Sequence, residues 1–83
     1  MEVFVILVIT PCSSYLGGVF TNKDVAIEVC KKIFKERQKE FFYSDHPVIE
    51  TNEEHEYSLY EVDNFEQSLL VIASKLIINN RID

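Results

Sequence analysis

Cys12 is the residue best placed for nucleophilic chemistry, because it follows an apolar stretch and has Ser13, Ser14, Gly17 and Gly18 beside it. Small residues in such a place can cradle a phosphate, but a cradle also needs a following helix N-terminus and a nearby base. Here the first base after Cys12 is Lys23, and Tyr15 to Phe20 reads as extended chain. A reactive thiolate likewise needs an electropositive setting, which is missing. The Cys12 to Gly18 stretch is therefore read first as a turn with an inert thiol; a nucleotide- or small-molecule-binding loop is the second reading. His46 and His55, with Asp45, Glu53, Glu54 and Glu56, are potential metal ligands. Their spacing matches neither a helical His pair nor a Cys/His finger, so a solvated acidic loop is expected and no metal site. No nucleophile–base pair is visible. We expect no catalytic residues and no cofactor.

The residues best suited to contact a partner are Tyr57, Tyr60, Glu61 and Asp63, together with the acids Glu53, Glu54 and Glu56 before them. Tyrosine is favoured at interfaces, and a negative surface steers toward a positive one. Tyr57 and Tyr60 suit a core position equally well, with the hydroxyl reaching water. The charge layout sharpens the expectation. Of the eight bases, Lys23, Lys31, Lys32, Lys35, Arg37 and Lys39 lie in or just after one helical stretch, and none lies between Glu40 and Ser74. That interval is acidic, and the chain carries a net charge of −6. Such a balance argues against direct nucleic-acid binding and for a basic protein surface as partner.

The elements that must position these residues follow from pattern. Glu2 to Thr10 is apolar on both alternating faces and reads as a covered strand. Pro11 and the residues after it form a turn, and Tyr15 to Phe20 returns as a second strand. Asn22 to Gln38 is an amphipathic helix capped by Thr21 or Asn22, with Val25, Ala26, Val29, Cys30, Ile33 and Phe34 on its buried stripe. Loop follows, with Val48 and Ile49 pairing only briefly at an edge. Glu56 to Val62 alternates as a strand. Asp63 or Asn64 would cap a second helix, its stripe being Phe65, Leu69, Ile72, Ala73, Leu76 and Ile77.

With 83 residues and 47% apolar content, the chain is expected to fold as one small α+β domain, residues 1–83. The order is β-β-α-β-α: a three-stranded, mainly antiparallel sheet with the first strand central and both helices on one face. The opposite sheet face would be apolar and bare at Val3, Val5 and Leu7, and Leu70, Val71 and Ile78 fall outside the stripe of the second helix, which together predict a homodimer through the sheet face or the second helix. Neither apolar run makes a membrane span or signal peptide, so a cytoplasmic location with reduced Cys12 and Cys30 is expected.

Gly18 to Ala26, reading Gly-Val-Phe-Thr-Asn-Lys-Asp-Val-Ala, and Tyr57 to Val62, reading Tyr-Ser-Leu-Tyr-Glu-Val, together resemble small α/β proteins of bacteriophage genomes. The resemblance carries no catalytic residues. It implies an accessory, host-directed or defence-inhibiting protein. The expected function is thus that of a non-enzymatic interaction protein acting through its acidic surface.

Overall fold

A computed structural model describes residues 1–10, 12–41, 47–62 and 68–78. In chain order the elements are β1 (Glu2–Ile9), β2 (Ser14–Phe20), α1 (Lys23–Phe41), β3 (Val48–Asn52), β4 (Glu56–Val62) and β5 (Ser68–Ile77). The five strands form one sheet in the order β2-β1-β5-β4-β3, antiparallel throughout, and α1 packs on one face. This corrects the expected three-stranded sheet with two helices. Among the described residues there is no second helix: Ser68–Ile77 is a strand.

The reason lies in that segment's composition. Its apolar positions satisfy a helical stripe, but they also fill both faces of a strand, and a short unbroken apolar run cannot be assigned by periodicity alone. Tertiary pairing decides. β5 lies between β1 and β4, with Val3 opposite Leu76, Val8 opposite Val71, Tyr57 opposite Ala73 and Leu59 opposite Val71. A central strand of this kind must be apolar on both sides wherever both sides are covered. β1 keeps antiparallel neighbours on each side as expected, but the second of them is β5 rather than β4. Val48 and Ile49 belong to the edge strand β3.

Helix α1 starts where Asn22 Oδ1 accepts hydrogen bonds from the amides of Asp24, at 2.8 Å, and Val25, at 3.3 Å. Asn22, not Thr21, is therefore the cap. Ala26, Cys30 and Phe34 bury against Phe4, Ile6, Val8, Leu69, Val71 and Ala73 from the middle of the sheet, with Tyr57 and Leu59 from β4. Val25, expected in the stripe, is instead 46% exposed on the helix flank.

β2 carries a bulge where the register with β1 slips between Ile6 and Leu7. Gly17 sits there because a methyl group would lie 2.8 Å from Ile6 Cγ2 and 3.0 Å from Ile33 Cδ1, closer than real side chains approach. Its neighbour Gly18 has φ +148°, which side chains rarely adopt. Gly17 thus lets Ile33 of the helix sit close over β2, while Gly18 supplies the backbone conformation beside the bulge. Among the described residues, no helix is long and apolar enough to cross a membrane.

Candidate interaction surface

The acids between β3 and β4 occupy a tight turn, not a loose loop. Glu53 N donates to Glu56 O at 2.8 Å, Glu56 N donates back to Glu53 O at 3.4 Å, and Glu54 and His55 form the tip. Two further bonds hold the turn from outside. Lys23 Nζ, from the first turn of α1, donates to Glu53 O at 2.6 Å, and the Lys75 amide of β5 donates to His55 O at 2.8 Å. Glu53 and Glu54 point into solvent, with His55 Nε2 at 3.8 Å from Glu54 Oε2. Glu56, half-buried, opens β4 beside them.

The other expected contact residues divide by the alternation of β4. Tyr57 and Glu61 point toward α1 and are buried, so they belong to the interior and not to a contact surface. Tyr57 donates its hydroxyl hydrogen bond to Glu50 Oε2 on the edge strand. Burial, followed by the bond and charge of Glu50, pushes its phenol well above the ordinary range. Glu61 Oε1 accepts from Gln38 Nε2 at 3.2 Å, and Oε2 has no hydrogen-bond partner among the described residues. Tyr60 points the opposite way, to the face without the helix, opposite Ile49 and Leu70. Asp63, like Asp45 and His46, lies outside the described residues.

That second face is the other feature of the surface. Register places Val3, Val5, Leu7 and Ile9 of β1 beside Leu76, Ser74, Ile72 and Leu70 of β5, and Val19 and Leu16 of β2 beside Val5 and Leu7. Leu16 is 66% exposed, Val19 56%, Ile49 57% and Leu76 52%. Val5, Ile9, Leu70 and Ile72 are half-buried and Val3 is buried, as neighbours on a sheet shield one another, while Leu7 and Ser74 are exposed. Of the expected interface residues, Val3, Val5, Leu7 and Leu70 lie on this face. Val71 does not: it is core under α1. Ile78, one residue beyond β5, is exposed, and its amide donates to Met1 O at 2.7 Å. Leu16, Val19, Ile49, Ile72 and Leu76 were not expected here. For Ile72 and Leu76 the signal was alternation by two, readable once 68–77 is taken as a strand, whereas Leu16 and Val19 share the face three residues apart because the bulge in β2 shifts the alternation.

The Cys12 region has little to offer a phosphate. Ser14 to Gly18 is already strand, and Thr10 Oγ1 accepts from the amides of Cys12, at 3.3 Å, and Ser13, at 3.0 Å. Those are the N–H groups that an anion would need. A shallow groove of about 430 Å³ runs along α1, lined by Asp24, Val25, Glu28, Val29 and Lys32. Its charges are of both signs and do not converge. Comparison with protein-family models, curated proteins and solved structures found no match to this chain.

Proposed function

We propose that this chain is a non-enzymatic interaction protein that engages a basic protein surface through the acidic end of its β3–β4 hairpin. The observation that carries the reading is the pinned turn: Lys23 and the β5 backbone bond the Glu53 and His55 carbonyls, so the backbone that carries Glu53, Glu54 and Glu56 is held before any partner arrives. Preorganised carboxylates lose less freedom on binding than acids on a free loop, and they steer a positive partner from a distance. The resemblance of Gly18–Ala26 and Tyr57–Val62 to small phage proteins adds an accessory, defence-inhibiting role to the proposal.

The test is charge reversal at exposed or half-exposed positions that leave the interior alone. Full-length chain and a Glu53→Lys/Glu54→Lys/Glu56→Lys variant are immobilised and exposed to bacterial lysate at about 0.05 M and about 0.3 M salt. The native chain is expected to retain a basic protein at the lower salt and release it at the higher, while the variant retains none. Equal capture by both chains, or capture indifferent to salt, would overturn the reading.

A further inference from the structure

We infer that the helix-free face of the sheet is closed by a second copy of this chain, giving a two-fold dimer with the sheets packed face to face and the helices outside. This goes beyond the acidic turn, since it uses a different surface that shares with the turn Glu56, at one corner.

Three observations choose the occupant. The first is charge. Among the described positions on this face, Glu56 at one corner is the only charged side chain, while Glu2, Glu50 and Lys75 all point to the helix side. A charged partner finds nothing there to recognise, whereas a second copy brings an equally neutral surface and keeps its own charges turned outward. The second is extent. Five strands about 4.8 Å apart, each about seven residues long at about 3.4 Å per residue, make a face of roughly 24 by 24 Å. Pairing two such faces covers roughly 1,100 Å², which clears the approximately 1,000 Å² expected of a specific interface. The third is economy of core. In a chain of 83 residues α1, the one helix among the described residues, covers one side of the sheet, and β1 and β5 are apolar on both. Burying the second side would add as broad an apolar layer again, and face-to-face sheets pack about 10 Å apart with interdigitated side chains.

Leu7 lies on β1, one strand from the centre of this face, between Leu16 and Ile72. In a two-fold contact each substitution enters twice. Sedimentation equilibrium of the full chain at about 1–100 µM should give twice the 9.7 kDa of one chain, with association no weaker when salt is raised from about 0.1 to 0.5 M. Leu7→Lys should weaken the dimer more than about thirtyfold. Leu16→Lys, at an edge position that the fold already exposes, should weaken it in the same direction and guards against a Leu7 variant that fails to fold. Val25→Lys, exposed on the helix flank, should leave the mass unchanged. A native chain that stays monomeric at about 100 µM overturns the inference, as does a dimer lost on Val25→Lys or unmoved by both face variants. Capture in the preceding experiment does not depend on this outcome, so the two readings fail separately.

Discussion

Cys30 shows how far burial by the helix alters a single side chain. It lies wholly inside, against the sheet, and removal from water lifts its thiol from 9.0 to about 11. The unfolded thiol ionises near its ordinary value while the folded one keeps its proton, so stability should be full below about pH 9. The Cys30 share of that stability should then be lost between pH 9 and about 11, by up to about 1.4 kcal/mol per pH unit, with no further loss from Cys30 above. Urea midpoints measured across that range should show the slope, and Cys30→Ala should reduce it, leaving the separate alkaline fall that Tyr57 adds from about pH 10 upward. The position of Cys30 was legible from its helical spacing. The direction of Glu61 was legible in part: it alternates with Tyr57 and Leu59, but an acid is among the residues least often buried, so its charge pointed outward and its phase pointed inward. Phase prevailed, because Gln38 supplies a hydrogen bond at the end of the helix.

At the scale of elements, α1 was the most readable because its start carries a mechanism and not merely a propensity. Asn22 satisfies two amides that the helix leaves unpaired. Asn22→Ala should cost about 1 kcal/mol, read as a lower urea midpoint with an unchanged slope, whereas Thr21→Ala should cost little. Strands β1, β2 and β4 were equally plain, each being short, β-branched or aromatic, and bounded by turn residues. β5 was not. Leu69 to Ile78 contains Ser74 and Lys75 near its middle, and these fit the outer side of a helix as well as they fit a strand. In the sheet they are accommodated separately: Ser74 stands opposite Val5 and Glu56, and Lys75 reaches Glu2 Oε1 at 3.0 Å. Neither pairing can be seen without knowing which strands are neighbours.

Across the whole molecule, misreading one strand moved every long-range relation while leaving the local ones intact. The bare apolar face was foreseen from β1 alone, since seven of its residues cannot all turn toward one helix. Its breadth was not, because β5 and the β3–β4 hairpin supply most of it. The acidic turn was foreseen as a region and not as a fixed shape, because its rigidity comes from Lys23, thirty residues earlier. Charge and grease therefore sit apart, the acids at one end of a hairpin and the apolar layer across the sheet.

The placement of β5 has a practical consequence. It is the seam between two ready-made hairpins, β1–β2 and β3–β4, and it is the last of the described strands along the chain. Cut between Val62 and Ser68, the protein becomes a large fragment with an open slot and a short peptide that fits it. Mixing the two should restore native circular dichroism, with the fragment alone poorly ordered, so the fold would serve as a split reporter whose signal is the return of its missing rung.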